Sequence, residues 1–196
     1  MTSVSIIDGD PAALPADALV VGVYQDDSGP QLADGAAPID AALGGRLAET
    51  VTLLGGTGAV GEVTKVATLG AVSAPVLAVV GLGGRDACTA ETLRRAAGAA
   101  IRALAGATAV TLALPTSEID GNAKPADTVA ALAEGALLGG YQFAGYKTKA
   151  DPGRRGPVGA VSIVVNDRKD KDASAELKRA TAVTAAVAQT RDWVNT

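Results

Sequence analysis

The sequence has 196 residues, a formal net charge of −4, 48% apolar residues, 3% aromatic residues, one cysteine and no histidine. This charge balance argues against a nucleic-acid-binding protein, which usually presents a strongly basic face. The single cysteine and the lack of histidine exclude an intramolecular disulfide, a thiolate zinc cluster and any site in which histidine is ligand or general base.

The length predicts one domain, or one domain and the start of another. With so few aromatic residues, the core has to be built from Ala, Val, Leu and Ile, which favours closely packed layers of sheet and helix. No apolar run approaches the ~18 residues of a membrane span, and residues 1–5 lack the basic and apolar regions of a signal peptide. We therefore expect a cytoplasmic protein without a membrane partner.

The first half of the chain predicts short strands at 4–7 and 18–23, a surface loop at 24–38 and one helix at 39–54. The helix is predicted although Gly44 and Gly45 lie inside it, and each of them weakens a helix by about 1 kcal/mol relative to Ala. Strands at 62–69 and 75–81 follow, and the link between them is so short that they have to pair antiparallel.

The clearest unit is the apolar run 76–80, its glycine turn at 81–84 and the helix at 89–104. The run is too short for a helix and reads as a strand buried on both faces. Thr89 is the predicted N-cap. A strand at 109–114, a turn-rich loop at 117–124, a helix from Pro125, a strand at 160–165 and a helix at 173–194 follow. This alternation predicts an α/β fold with a mixed, largely parallel sheet and helices on both faces.

Two glycine-rich segments resemble anion-binding loops. Residues 56–61 match G-x-G-x-x-G, but a helix precedes the segment and a strand follows it, whereas a dinucleotide site needs the opposite order. Residues 81–84 follow a strand, as such a site requires, but Asp86 stands where the third glycine would be and would repel a phosphate. We interpret both segments as structural turns.

The other candidates for chemistry also favour structural interpretations. The acidic side chains of the first 34 residues lie in predicted loops and strand ends without the spacing of a cation-binding loop, so we interpret them as solvated surface; they are Asp8, Asp10, Asp17, Asp26, Asp27 and Asp34. Cys88 precedes a helix, where the dipole can activate a thiol, but without histidine a small helix-entry residue is favoured. The basic stretch 147–155 has no interleaved aromatic residue and reads as a solvated loop.

Two later segments carry a family resemblance. Glu134 and Gly135, the run 139–143 (GGYQF) and the run 146–148 (YKT) resemble a segment of the leucyl (cytosol) aminopeptidases. The final run 191–196 (RDWVNT) resembles the family segment that leads from the N-terminal domain into the catalytic domain, with Trp193 in place of the usual Leu. The turn at 80–83 before the alanine-rich helix is also similar.

This resemblance implies a macro-domain-like N-terminal α/β domain at 1–190, with 191–196 as the start of the connection to an absent C-terminal catalytic domain. It implies that the parent is a hexameric aminopeptidase with two divalent metal ions (Mn or Zn), whose catalytic and metal-binding residues belong to the C-terminal domain. No catalytic, cofactor-binding or metal-binding residue is therefore predicted in this chain. The exposed position expected for Trp193 and the lack of a helix stop after it also lead us to expect a truncated protein.

Two other functions remain open from the sequence. A stand-alone macro-like module could hold ADP-ribose or another nucleotide on the glycine segments. Nucleic-acid binding through 147–155 would show a steep dependence of affinity on salt, and failure of the chain to bind heparin would exclude it.

Overall fold

A computed structural model of the chain describes residues 2–116, 119, 124–143, 153 and 155–195. The strands are Ser3–Ile7 (β1), Ala18–Tyr24 (β2), Gln31–Leu32 (β3), Val63–Ala67 (β4), Val76–Gly81 (β5), Ala109–Ala113 (β6) and Ala160–Val164 (β7). The helices are Ala37–Ala42 (α1), Leu47–Leu53 (α2), Ala90–Ala103 (α3), Pro125–Gly139 (α4) and Lys171–Asn195 (α5), with a short 3₁₀ turn at Arg85–Ala87.

The strands form one mixed sheet in the order β1-β7-β6-β2-β5-β4, with β3 paired to β2 off this path. Pairing is parallel from β1 through to β5. The two exceptions are antiparallel, β4 against β5 and β3 against β2. The predicted fold class is therefore confirmed, including the antiparallel pair that the short link between β4 and β5 requires.

The unit on which the prediction depended has the expected form. Strand β5 is buried over its length apart from half-buried Val76, and β2 is buried throughout. Helix α3 begins after Thr89, whose hydroxyl accepts the N–H of Thr92 at 3.3 Å while the Thr92 hydroxyl accepts the N–H of Thr89. This reciprocal cap satisfies two donors that a helix start otherwise leaves unpaired.

Helices cover both faces of the sheet, as predicted, but unequally. Alternate residues of each strand point to opposite faces, so Val20 and Val80 pack with α3, α4 and α5, whereas Leu19 and Leu77 face α1 and α2. The three long helices share one face because β5 connects past β2 to β6 and then to β7 on the same side. In the described part of the chain, the opposite face packs against the two short helices, the segment around Val72, Leu32 of β3 and the segment at Ala12 and Ala16.

Two predictions in the first half are wrong. The single helix at 39–54 is two helices, because Gly44 and Gly45 both lie at a φ of +73°, a left-handed conformation that ends α1. The carboxylate of Asp40 then accepts the N–H of Leu47 at 2.8 Å and caps α2. The loop at 24–38 contains β3 and the first residues of α1, since its backbone pairs with the end of β2.

Two predicted loops lie mainly outside the described residues. Of the loop at 117–124, only Ile119 and Lys124 are described, and of the basic stretch at 147–155, only Gly153 and Arg155. Among the helices of the described part, none combines the length and the apolar character that crossing a bilayer would demand.

Candidate functional site

The two glycine-rich segments pack against each other beside the end of β5. A Cβ atom on Gly81 would lie 2.0 Å from the carbonyl oxygen of Ala59, so only glycine allows this approach. The N–H of Gly83 donates to the carbonyl of Gly58 at 2.8 Å, and the N–H of Gly61 donates to that of Gly81 at 3.0 Å. Packing against the segment at 56–61 thus accounts for glycine at position 81, and at position 83, where a Cβ atom would lie 2.7 Å from the side chain of Val60.

The turn at 56–61 presents backbone donors to an anion, and that anion is the protein's own Glu62. Its carboxylate accepts the N–H groups of Thr57 and Gly58 at 2.8 and 3.0 Å, and the hydroxyl of Thr57 at 2.9 Å. Burial raises the pKa of Glu62, but these hydrogen bonds outweigh it and lower the pKa overall. The donors that a phosphate would need are therefore already satisfied.

The turn at 81–84 likewise offers few donors. The N–H groups of Gly81, Leu82 and Gly83 donate to the carbonyls of Glu62, Val23 and Gly58 at 2.8–2.9 Å. These bonds support the interpretation of the segment as a structural turn.

Parallel sheets bind ligands beyond the carboxyl ends of their strands, and one cleft of about 290 Å³ lies there, beyond β6 and β7. Its lining includes Asp34, Gly35, Thr116 and Asn166. Close by, the Arg85 guanidinium stacks 4.5 Å from the ring centre of Tyr24, and burial raises the pKa of that tyrosine. Among the described residues, the cleft lining holds the carboxylate of Asp34 and no lysine or arginine, a composition that disfavours a phosphate.

The remaining predicted candidates are dispersed. Asp10 and Asp26 accept backbone N–H groups two residues further on and stabilise turns, whereas Asp17 accepts the N–H groups of Thr108 and Ala109 at the start of β6. Asp8 forms an exposed ion pair with Arg168 at 3.6 Å. The thiol of Cys88 is fully buried. Across the described ranges, no three Asp, Glu or Cys side chains converge as a metal site would need.

The segment at 134–140 is a junction between helices. A Cβ atom on Gly135 would lie 2.2 Å from the carbonyl oxygen of Arg94, and one on Gly139 would lie 2.6 Å from that of Gly98. Helices α3 and α4 therefore cross with their backbones in contact. This crossing is the physical reason for glycines at helix-interior positions, where they otherwise destabilise.

Glu134 ties three helices together at this junction. Its carboxylate is mostly buried and accepts the Nε–H of Arg94 from α3 at 2.7 Å, and Arg179 from α5 lies 3.9 Å away. Glu91 contacts the same Arg94 guanidinium, and these partners raise the pKa of Arg94 even though burial opposes them. A half-buried charge pair of this kind has to be complete, since removing one partner leaves the other uncompensated.

The two family-like segments meet in space, which sequence reasoning did not anticipate. The Tyr141 hydroxyl, just after α4, donates to the Asp192 carboxylate in the last turns of α5 at 2.7 Å. The Arg191 guanidinium lies 5.5 Å from the ring centre of the same tyrosine. Of the aromatic residues in these segments, Tyr141 and Phe143 are half-buried, and Tyr146 lies outside the described residues. We call the contact of Tyr141 with Arg191 and Asp192 the α5 clamp.

A family model described as "Cytosol aminopeptidase family, N-terminal domain" matches residues 20–150. The chain belongs to the cytosol aminopeptidase family. A probable cytosol aminopeptidase of Streptomyces griseus is 39% identical over 212 aligned residues, which cover 100% of this chain and 40% of that relative. The chain thus spans well under half the length of this relative, and its match is to the N-terminal part of the family.

Comparison with solved structures shows the fold. A tomato leucine aminopeptidase mutant superposes with a TM-score of 0.78 at 19% identity, over 100% of this chain and 38% of that one. The bottromycin maturation enzyme BotP in complex with Mn superposes with a TM-score of 0.67 at 23% identity, and the match covers 92% of this chain and 32% of that one. An Oceanobacillus iheyensis macrodomain mutant superposes with a TM-score of 0.55 at 15% identity, and the match covers 89% of this chain and 86% of that one. The family and the macro-like architecture expected from the sequence are therefore confirmed.

Proposed function

We propose that this chain is the non-catalytic N-terminal part of a two-metal leucyl aminopeptidase, a cytoplasmic hexamer that removes N-terminal residues from peptides. Residues 1–190 would form the domain, and 191–196 would begin the connection to the C-terminal catalytic domain. The observation that carries this proposal is the match of the chain to the N-terminal domain of a family whose members are more than twice as long. The role of the domain would be assembly and control of access to the active site.

The metal ions of the parent would be held outside this chain. Its described residues do not fit a two-metal site, because no three ligating side chains converge among them. Two divalent ions, Mn or Zn, would activate water and polarise the scissile carbonyl in the catalytic domain. We assign no step of that reaction to a residue of this chain.

The residues that carry the family resemblance support a structural role. Gly135 and Gly139 allow α3 and α4 to cross, Glu134 joins three helices, and Tyr141 holds the end of α5. A rigid core that ends in a clamped helix is suited to holding a following domain in a defined direction.

Joining the chain to the remaining C-terminal part of the Streptomyces griseus relative tests this proposal. With Mn²⁺ or Zn²⁺, the chimera should hydrolyse leucine p-nitroanilide, whereas the same C-terminal part without any N-terminal domain should assemble poorly and lose most of its activity. A chimera that folds and binds the metal but gains nothing from the chain would contradict the assigned role.

The macro-like fold makes nucleotide binding the second candidate. The likeness to a macrodomain shows the architecture alone, and most amides of the two glycine segments donate to groups of the protein itself. Calorimetry with ADP-ribose separates the two proposals. Submicromolar binding would favour the stand-alone module, and we expect none.

A further inference from the structure

Charged residues disappear from the second half of α5. The first nine residues of this helix include Lys171, Asp172, Glu176, Lys178 and Arg179, and the next charged residue is Arg191. The eleven residues between them, 180–190, are Ala, Thr, Val and Gln only. A helix face in permanent contact with water normally carries charges opposite its apolar stripe. The two halves of α5 are thus built for different surroundings.

The uncharged half exposes most of its surface. Only Ala180, Thr184 and Ala188, one residue per turn, are buried in this half, where α5 packs along α4. The outward side is exposed at Thr181, Ala182, Val183, Ala185, Ala186, Gln189 and Thr190. At the end of the same helix, Trp193 is 67% exposed and Val194 is 80% exposed. A large aromatic beside exposed aliphatic residues is typical of an interaction surface.

A groove adjoins this face. It has a volume of about 230 Å³ and lies between α5, at Thr181, Ala185 and Ala188, and the segment at Gly140 and Tyr141. The α5 clamp contributes to the wall of the groove, because Tyr141 and Asp192 both line it and are joined by a hydrogen bond. The face and the groove are therefore held in one arrangement before anything binds, which lowers the entropic cost of binding.

We propose that the outward face of residues 180–194 and this groove form the docking surface for apolar side chains of the C-terminal domain of the parent. This inference rests on the proposed function. The chain spans 40% of the Streptomyces griseus relative, so most of such a protein lies beyond the matched region. A domain that follows α5 directly is held at a high effective concentration beside it. The absence of charge from 180–190 disfavours an ionic partner such as nucleic acid.

Cysteine labelling tests this surface directly. Ala186→Cys places a thiol on the uncharged half, and Ala175→Cys places a matched thiol on the exposed, charged half of the same helix. The natural Cys88 is fully buried and contributes little background. Both variants are labelled with a maleimide in the 196-residue chain and in the chimera with the C-terminal part of the Streptomyces griseus relative.

We expect labelling at position 186 to slow about tenfold or more in the chimera, because burial suppresses reagent access, while labelling at position 175 stays the same. Equal rates at 186 in both proteins would overturn the inference. Protection at 186 that grows with the concentration of the chain alone would also overturn it, since a second copy would then cover the face. Leucine p-nitroanilide hydrolysis is scored separately, so an active chimera with an accessible position 186 refutes only the docking surface.

A charge variant gives a second readout. Ala186→Glu should let limited proteolysis separate the two parts of the chimera, whereas Ala175→Glu should not, because a buried, unpaired carboxylate is strongly disfavoured. Equal protease resistance of both variants would contradict the proposal.

Discussion

The Tyr141 hydroxyl donates to the Asp192 carboxylate at 2.7 Å across 51 residues of sequence. This bond joins the segment after α4 to the end of α5, and these are the two segments by which the sequence resembles the aminopeptidases. The contact holds the last turns of α5 against the segment that follows α4.

Removing the hydroxyl should loosen the end of α5. Tyr141→Phe keeps the ring under Arg191 but deletes the hydrogen bond, and the population of open states of residues 189–195 should rise about two- to tenfold. Hydrogen exchange measures this opening, and acrylamide quenching of Trp193, the only tryptophan of the chain, reports it independently. Tyr24→Phe is the control, because Tyr24 is the last residue of β2 and is not part of the α5 clamp. Unchanged exchange in Tyr141→Phe would show that the clamp does not hold the helix.

The same contact should open at high pH. The hydrogen bond to Asp192, with burial and the carboxylate charge, raises the pKa of Tyr141 above its ordinary value of 10.0. A raised pKa means that the fold favours the protonated hydroxyl, so the stabilisation is fully present below about pH 10 and is lost as the pH rises through the folded-state pKa. Quenching of Trp193 should increase over that range in the natural chain and change less in Tyr141→Phe. The same dependence of Trp193 quenching on pH in both chains would contradict the prediction that the contact opens.

The crossing of α3 and α4 should not tolerate a methyl group. Gly135→Ala would place Cβ 2.2 Å from the carbonyl oxygen of Arg94, so the helices have to separate. Overpacking costs typically about 1–3 kcal/mol or more, which exceeds the gain in helix propensity of about 1 kcal/mol. Urea denaturation should show a lower free energy of unfolding.

Gly84→Ala is the matched control for this substitution. Its Cβ would meet nothing within 4 Å, and its φ of −60° suits any residue. The free energy of unfolding of the Gly84→Ala chain should differ from that of the natural chain by less than about 1 kcal/mol. A Gly135→Ala chain as stable as the control would mean that the two helices do not need backbone contact.

The free energy of unfolding should depend on pH through the ionisation of Glu62. Its lowered pKa means that the carboxylate stabilises the fold above its ordinary pKa of 4.5 and that this contribution is lost as the pH falls through the folded-state value. Glu62→Gln should lower the free energy of unfolding by about 1 kcal/mol at pH 7, because solvent screens part of the electrostatic stabilisation. It should also flatten the loss of stability below pH 4.5. Glu49→Gln, which removes an exposed ion pair with Arg46, should leave the acid profile unchanged. Identical acid profiles for Glu62→Gln and the natural chain would refute the assignment.

The sequence was most informative where local pattern and burial agree. The apolar run of β5, the cap at Thr89 and the short β4–β5 link each indicate one local structure, and the structure confirms all three. The sequence did not predict the break between α1 and α2, because a glycine inside a helix only weakens it. The break arises because Gly44 and Gly45 both adopt positive φ. The junction at Gly135 and the contact of Tyr141 with Asp192 could not be predicted, since both depend on how separate helices cross. A Glu-Gly pair inside a helix was the available signal for that crossing.

The most direct test of the account is the activity of the chain alone. The purified 196-residue chain is incubated with leucine p-nitroanilide and either Mn²⁺ or Zn²⁺, and release of p-nitroaniline is followed against a metal-free sample. We expect no metal-dependent hydrolysis, because our proposal assigns the catalytic residues of the parent to the part of the protein outside this chain. Clear turnover that requires the metal and disappears with a chelator would contradict it.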